Sequence, residues 1–426
     1  MQVLRGTKDI LPDEIVFWRN IYNTALNICS LYNYEEIKTP ILEMTSLFER
    51  SIGNETDIVN KEMYSFTDQG QRNITLRPEG TASIARSFIS NQLYNKKQTH
   101  KLWYMGPMFR YERPQSGRQR QFHQLGLECI GSIEPIADAE VIRIAIKILE
   151  KLKVDNYTLE INSIGDLEER KQYQDKLIRY LEKYKNDLDI DSKRRLNTNP
   201  LRILDSKNTK TQEIISHAPS LTICLGRESK THFRQLCNYL EKMGITYYIN
   251  NRLVRGLDYY NYTAFEISNR SLGSQDTICG GGRYDSLIKS LGGPETPSVG
   301  WAIGIERLLL ASRNLSENNQ STPEVYIATQ GEEAKLEIWS IISMLEKAQI
   351  KFELDLQNNS FQKQIKKATK LGIPICIIMG DNEAKNRKIT IKLLEQHIEK
   401  TISVSKMIEE IRKYIKNRKQ NLTITR

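Results

Sequence analysis

The chain has 426 residues, 39% of them hydrophobic and 27% charged, with a formal net charge of +10. That length exceeds one ordinary core, so two or three domains are expected, and the apolar content excludes a largely disordered protein. No apolar run approaches the roughly 20 residues needed to cross a bilayer, so no membrane partner is expected.

The start, Met1-Gln2-Val3-Leu4-Arg5-Gly6-Thr7-Lys8-Asp9, has neither the apolar core of a secretory signal nor an amphipathic Arg/Ser pattern. The six cysteines (Cys29, Cys129, Cys224, Cys237, Cys279 and Cys376) form no CxxC pair. The five histidines are equally dispersed, so zinc-ligand spacing is absent and reduced, mostly buried thiols are expected. A cytoplasmic protein follows. Abundant Ile, Lys, Asn and Tyr fit an AT-rich genome, and if that genome is organellar the compartment becomes a stroma or matrix. The positive surplus suits a polyanionic partner, and a solvated basic surface would account for it equally well.

In chain order, residues 34–164 read as strands separated by helices. Segments 61–68 and 73–77 flank Gln69-Gly70-Gln71, a hairpin signal. Residues 80–90 have helical spacing through Ile84, Phe88 and Ile89. Segments 101–110 and 121–130 form two strands joined by a polar loop, 111–120. An amphipathic helix at 138–152 precedes a strand at 157–162. From Asp166 to about Leu188 the chain is charged and helical, 191–211 is polar and irregular, and 229–243 is helical again. Strand texture returns at 245–250 and 263–267, passes through Gly280-Gly281-Gly282, and ends at 298–312 as a strand running into a helix.

A run of Ser, Asn, Gln and Pro at 314–323 marks a boundary. Beyond it strands at 324–329, 351–356, 373–379 and 388–394 alternate with helices at 332–347, 360–371 and 404–417. That order predicts an α/β domain of about a hundred residues. The basic tail at 412–426 reads as a solvated, partly disordered end.

The densest chemistry lies in Phe109-Arg110-Tyr111-Glu112-Arg113-Pro114 and Gly117-Arg118-Gln119-Arg120-Gln121-Phe122-His123-Gln124. Strand alternation points Arg110 and Glu112 the same way. Guanidinium forks suit phosphate oxygens, and Phe122 offers a stacking plane. An isolated basic cluster would read as a solvated hairpin, but Pro114, Gly117 and the aromatics belong to a shaped loop. His123 faces away from Gln124 and reads as structural. A second constellation, Gly300-Trp301-Ala302-Ile303-Gly304-Ile305-Glu306-Arg307, is a glycine-containing strand before a helix, where an anion could be held.

Together these segments resemble motifs 2 and 3 of the class II aminoacyl-tRNA synthetases, and Thr39-Pro40-Ile41-Leu42-Glu43 resembles motif 1, the usual dimer contact. Leu253-Val254-Arg255-Gly256-Leu257-Asp258-Tyr259-Tyr260 and Cys279-Gly280-Gly281-Gly282-Arg283-Tyr284-Asp285 are similar to the two signatures of the histidyl-tRNA synthetase family. Arg5-Gly6-Thr7-Lys8-Asp9, Leu76-Arg77-Pro78-Glu79-Gly80-Thr81 and Asn199-Pro200-Leu201-Arg202-Ile203-Leu204-Asp205 match it too. Two departures stand out, Tyr262 where glycine or arginine is commoner and Ser286 where glycine is frequent.

The resemblance implies an α+β protein: an antiparallel-sheet catalytic domain (1–165 and 244–318) with a mainly helical insertion (166–243), and an α/β anticodon-binding domain (324–426). It implies activation of L-histidine by ATP and transfer to the 3′ end of histidine tRNA by a homodimer. Magnesium is expected on the phosphates, with no zinc and no protein-held metal. Arg110 and Arg255 are the implied catalytic residues. Arg110 would contact the α-phosphate and orient the histidine carboxylate, Glu112 would read the adenine amino group, and Phe122 would stack on the base. Arg118 and Arg307 would clamp the terminal phosphates or cap the other face of adenine. Arg255 takes the place of a metal ion at the α-phosphate. Glu79, Thr81 and Gln124 would meet the α-amino group, and Gly80 and Arg255 also belong to the implied histidine site. Glu128 and Tyr260 face the imidazole, walled by Tyr259 and Tyr284. Arg113, Gln115 and Arg120 meet the tRNA acceptor end, with Lys193, Arg194 and Arg195 guiding its arm. The alternatives are a non-catalytic histidine-sensing paralogue, which would erode the ATP-binding arginines, and a class II synthetase for another amino acid such as threonine or proline.

Overall fold

The computed structural model describes residues 1–53, 56–312 and 322–424, with side-chain surroundings given to residue 418 except at 274 and 275. The chain divides into two compact units, Met1–Glu317 and Asn318–Arg426. Most of the polar boundary run at 314–323 lies outside the described residues.

The first unit is built on an eight-stranded sheet in the order Glu35–Glu36, His100–Phe109, Gln121–Ile130, Ser298–Gly304, Thr277–Arg283, Asn261–Asn269, Tyr157–Ser163, Tyr248–Ile249. The two short edge strands pair in parallel and every inner pair is antiparallel. Side-chain alternation gives each inner strand two buried faces, so the sheet needs a covering layer on both. Helices Pro12–Leu31, Pro135–Lys151 and Arg227–Lys242 pack with one face, where Ile142, Ile146, Leu236, Leu159, Phe265 and Trp301 share a core. Trp301 is 1% exposed and its indole N–H donates to the Val141 carbonyl at 2.7 Å, so its burial leaves no unmet polar group. Such a side chain contributes about 3 kcal/mol through burial. The opposite face is covered by a core that joins Leu177, Leu181, Leu196 and Ile203 of the helical segment to Tyr259, Tyr260 and Tyr284.

Residues 191–211 are not irregular. They form helices Ile190–Thr198 and Thr209–Ser216 around a 3-10 turn, Pro200–Asp205. Asp189 accepts from the Ser192 N–H at 2.9 Å and Asn208 from the Thr211 N–H at 3.1 Å, capping both helices. Each helix is too short and polar to produce a clear 3.6-residue apolar stripe, although its cap was present in the sequence. The helix Pro12–Leu31, opened by Pro12, Asp13 and Glu14, was likewise unread.

A separate three-stranded sheet pairs Leu42–Met44 and Tyr64–Thr67 with Asn73–Leu76. The 61–68 strand therefore begins later than expected, because residues Ile58–Glu62 wind into a π-helical turn. The strand at 245–250 shrinks to Tyr248–Ile249.

The second unit has a five-stranded sheet in the order Phe352–Leu354, Val325–Gln330, Ile375–Gly380, Lys388–Leu393, Ile398–Ser403. The first three strands are parallel and the last two antiparallel. Helices Glu332–Lys347 and Met407–Ile424 pack on one core with Ile327, Ile341 and Leu345, and Phe361–Lys370 flanks a second around Tyr326 and Ala368. The final strand escaped the sequence reading because its residues are largely exposed and polar. The basic tail continues the last helix to Ile424, and residues 425 and 426 lie outside the described residues.

Candidate active site

The hairpin His100–Phe109 and Gln121–Ile130 opens at its far end into loop 110–120. The loop is shaped. The Arg110 N–H reaches the Arg120 carbonyl at 2.9 Å, and Gln115 pairs with Arg118 as an isolated bridge. The Arg120 guanidinium lies 3.7 Å from the Tyr111 ring centroid, and its backbone N–H donates to the Gly6 carbonyl at 2.7 Å. That contact explains why the N-terminal Arg5-Gly6-Thr7 run accompanies the loop.

A cavity of about 180 Å³ lies over the sheet, between this loop and the segment 255–260. The hairpin lines it with Arg110, Glu112, Arg118, Phe122 and Gln124. The helix Ile305–Ala311 adds Arg307, and Glu79 and Thr81 enter from the start of helix Thr81–Ser90. Arg255, Tyr259 and Tyr260 complete the lining. The tertiary fold therefore gathers eleven of the candidate residues from segments up to 228 positions apart (307 − 79) into one cavity.

Each arginine is held before any substrate arrives. Arg110 donates from Nε to the Pro78 carbonyl at 2.9 Å and lies over the Phe122 ring at 5.2 Å. Arg118 pairs with Glu112 at 3.1 Å. Arg307 donates to the Thr277 carbonyl at 2.8 Å and the Gly117 carbonyl at 3.3 Å, pinning the loop to strand Thr277–Arg283. Arg255 forms an ion pair with Glu266 and lies flat against Gly280, where any Cβ would collide with its guanidinium. Four cations converge on one small volume, and Arg307 is held below the usual arginine range by burial and by the Arg118 charge.

Arg118 Nε, Gln124 Oε1, Arg255 Nε and the Tyr259 hydroxyl are buried and have no hydrogen-bond partner among the described residues. An unmet buried polar atom costs about 1–3 kcal/mol, so this concentration around one cavity marks a site built for a polar ligand.

Three predicted residues lie behind the cavity lining. Glu128 is fully buried and accepts from Thr81 Oγ1 at 2.8 Å and from the Tyr284 hydroxyl. Burial pushes its carboxyl up to about 8. Gly300 makes this possible, because a Cβ there would collide with the Glu128 carboxylate. Tyr284 is itself buried, and Gly80 sits under the Tyr104 ring. Glu79 also has a structural duty: its carboxylate accepts from the Thr81 and Ala82 N–H groups, both at 2.7 Å, at the helix start. Burial raises its pKa, and those two N–H groups oppose the rise.

The remaining predicted residues lie off the cavity. Arg113 and Gln115 are exposed on the loop, and Arg120 is half-buried in its contact with Tyr111 and Gly6. His123 bonds Glu306 through Nδ1 at 3.0 Å and meets Trp18 edge-on at 4.6 Å.

Sequence reasoning missed Gln119, Thr277, Ile278, Ala302 and Glu306, which also line the cavity. Glu266, the Arg255 partner on strand Asn261–Asn269, has no role in the sequence reading either. Tyr262 sits at φ +46°, beside a register shift in the pairing of strand Asn261–Asn269. That left-handed conformation is the physical reason glycine suits the position better.

A guanidinium cluster able to neutralise a polyphosphate, a ring for a base, and an adjoining pocket of buried hydroxyls and carboxyls occupy one antiparallel sheet. That fold and site define a class II aminoacyl-tRNA synthetase. A family model described as "Histidyl-tRNA synthetase" matches residues 6–308, and one described as "Anticodon binding domain" matches 324–414. A relative from Gracilaria tenuistipitata var. liui, named "Histidine--tRNA ligase, chloroplastic", is 62% identical over 97% of this chain and 98% of its own. One of the same name from Pyropia yezoensis is 52% identical over 98% and 97%. The solved structure of apo S. aureus histidyl-tRNA synthetase aligns with a TM-score of 0.80 at 37% identity, covering 96% of this chain and 99% of that one. The chain belongs to the histidyl-tRNA synthetase family. It is an ATP-dependent histidine–tRNA ligase that joins L-histidine to tRNA through histidyl-adenylate, and the non-catalytic reading has no support in the curated relatives.

Proposed function

We propose that the cavity holds ATP and histidine side by side, with the duties of the residues divided as follows. Phe122 stacks on adenine and Glu112 accepts from its amino group. Arg118 and Arg307 hold the terminal phosphates. Arg110 and Arg255 flank the α-phosphate, and Arg110 also orients the histidine carboxylate. Glu79, Thr81 and Gln124 receive the α-amino group, while Glu128 and Tyr260 read the imidazole, with Tyr259 and Tyr284 as walls and Gly80 leaving room for Tyr104. The convergence of four arginines on one cavity beside buried carboxyls carries this reading.

In the first step a histidine carboxylate oxygen attacks the α-phosphorus, the bond to the bridging oxygen breaks, and pyrophosphate leaves. Charge accumulates on the α-phosphate oxygens in the transition state. Preset guanidiniums there stabilise it without the cost of reorganisation. In the second step a ribose hydroxyl at the tRNA end attacks the activated carbonyl and AMP departs. Mg²⁺ would supply further neutralisation on the pyrophosphate portion. Among the described residues no group of three His, Cys, Asp or Glu side chains could hold a metal. Glu112 and Glu266 are engaged by Arg118 and Arg255, so the ion would ride mainly on phosphate oxygens.

Arg113, Gln115 and Arg120 approach the tRNA acceptor end, and segment 166–243 guides its arm as an insertion between the catalytic portions 1–165 and 244–318. Residues 324–426 read the anticodon. Homodimerisation through the motif 1 region is supported by one apolar sheet face, where Leu42, Met44 and Phe66 are 53%, 46% and 48% exposed. Among the described residues no helix is long and apolar enough to cross a membrane. Two relatives named chloroplastic support an organellar stroma over the cytoplasm as the working compartment. The deciding experiment is ATP–pyrophosphate exchange with each of the twenty amino acids. Exchange with histidine alone is expected, and exchange with another amino acid instead would overturn the substrate assignment.

A further inference from the structure

Segment 255–260 carries the α-phosphate arginine and two tyrosines of the proposed histidine pocket, yet it forms neither helix nor strand. Its backbone carbonyls therefore need partners from elsewhere. One side chain satisfies two of them. Arg170, in the first turn of helix Leu167–Glu182, donates from a single guanidinium nitrogen to the Asp258 carbonyl at 2.7 Å and the Tyr260 carbonyl at 3.0 Å. These carbonyls bracket Tyr259.

The anchor is rigid. Asp166 and Glu169 cap the helix reciprocally at 2.8 and 3.0 Å, and Glu169 also accepts from the Ser229 hydroxyl at 2.5 Å. Just upstream, Gly165 and Ile164 exchange 2.7 Å backbone bonds with Tyr262. The Arg170 side chain is only 13% exposed, so its hydrogen bonds face little competition from water. Asp258 is held from two further sides. Asn199 donates to its carboxylate at 2.9 Å, and Gly53, at φ +99°, leaves space that a Cβ would take from that carboxylate.

We propose that Arg170 is a positioning residue for histidine recognition: it acts through the Asp258 and Tyr260 carbonyls to set the Tyr259–Tyr260 wall of the pocket. This rests on the reading of those tyrosines as the histidine pocket. The Tyr259 and Tyr260 rings lie 4.7 Å apart and Tyr260 lies 6.5 Å from Tyr284, so a shift of this backbone displaces the wall as a unit. Both bonds leave one guanidinium nitrogen whose two N–H directions are fixed by the planar group, whereas a lysine ammonium rotates freely on a flexible stem and would hold the two carbonyls less firmly.

The test uses the full chain with Arg170→Met, Arg170→Lys and, as a control on the pocket, Tyr260→Phe, assayed by ATP–pyrophosphate exchange and thermal unfolding. Loss of two charge-assisted bonds predicts that R170M raises the KM for histidine about tenfold or more, while the KM for ATP moves less than about twofold. R170K restores part of the histidine KM. Parallel rises in both KM values, or an unchanged histidine KM, overturn the proposal. If R170M does not fold, R170K and Asn199→Ala carry the same comparison with a smaller rise. A histidine KM unmoved by Tyr260→Phe defeats the pocket reading. A response to Tyr260→Phe without one to the Arg170 variants defeats this inference alone.

Discussion

Arg283 and Asp138 form an ion pair in which neither side chain is exposed to solvent. Arg283 also donates to the Ser132 carbonyl at 2.7 Å and to Asp285 at 3.2 Å, and His232 approaches Asp138 at 3.3 Å. The arginine of the Gly280-Gly281-Gly282-Arg283 signature is thus a buried tie between strand Thr277–Arg283 and helix Pro135–Lys151, outside the substrate cavity. Removing one partner leaves an unpaired buried charge. Arg283→Met is expected to lower stability by about 3–5 kcal/mol, and replacing both partners by apolar residues to cost less than either single change. Urea unfolding of the three variants checks this. A milder single than double variant would contradict it.

The same pair sets an acid limit. Burial alone would raise the Asp138 pKa, but the Arg283 charge and the hydrogen bonds from His232 and Arg283 outweigh it and hold the carboxyl at about 2. A depressed carboxyl contributes stability above its ordinary value near 3.8 and loses it as pH falls toward 2. The contribution is of the order of 2 kcal/mol. Wild type should therefore lose more stability between pH 4 and 2 than a variant lacking both charges, measured by denaturant midpoints across that range.

Arg255 and Gly280 should fail together. Arg255→Ala removes a preset donor at the proposed α-phosphate, so pyrophosphate exchange should fall by about 10²–10³, with ATP and histidine binding largely kept. Gly280→Ala should produce a similar loss by displacing the same guanidinium. Near-normal exchange in either variant would remove Arg255 from its assigned role.

Glu128 predicts a pH profile. Burial pushes its carboxyl up to about 8, so at neutral pH the free protein holds it largely protonated. Across the window from the ordinary carboxyl value to about 8 the unfolded chain has released a proton that the folded state keeps, so stability falls as pH rises toward 8 and levels off above it. An ionised carboxylate accepts an imidazole N–H more strongly than a protonated carboxyl does, so histidine binding should strengthen as pH rises through the same window. A kcat/KM for histidine that rises to a break near 8 is expected in wild type. Glu128→Gln should abolish that break and retain the one belonging to the substrate imidazole, at about 6.5. A profile identical in both proteins would refute the assignment.

The second unit has its own core, so truncation after Pro323 should leave the first unit folded. Charging of tRNA should drop much further than pyrophosphate exchange. Equal losses would show that the domain supports the catalytic unit structurally and does not serve mainly for anticodon reading.

Periodicity revealed most of the long elements, among them the helix Glu332–Lys347 to the residue and the hairpin strands around loop 110–120. Apart from the 20-residue helix Pro12–Leu31, the elements that it missed are short, polar or exposed: helices Ile190–Thr198 and Thr209–Ser216, and strand Ile398–Ser403. There the caps carried more information than the apolar pattern. Of the candidate residues, the arginines could be read because guanidinium chemistry and local turn residues occur within one loop. Thr277 could not, since nothing in its neighbourhood distinguishes it from other polar strand residues, and Gln119 lies in the same loop as the arginines but has no charge to mark it.

By itself the sequence determined the chemistry: which segments carry phosphate-binding arginines, which carry hydroxyls and carboxyls for a polar substrate, and where apolar faces repeat. Those properties are written within windows of a few turns. Only the tertiary structure decided depth and partnership. It put Glu128 behind the cavity with a raised pKa, bound Arg283 to a residue 145 positions away, and set Arg170 against carbonyls 88 and 90 positions downstream. Burial and long-range pairing come from how whole faces close on one another, and no local window of the chain contains that information.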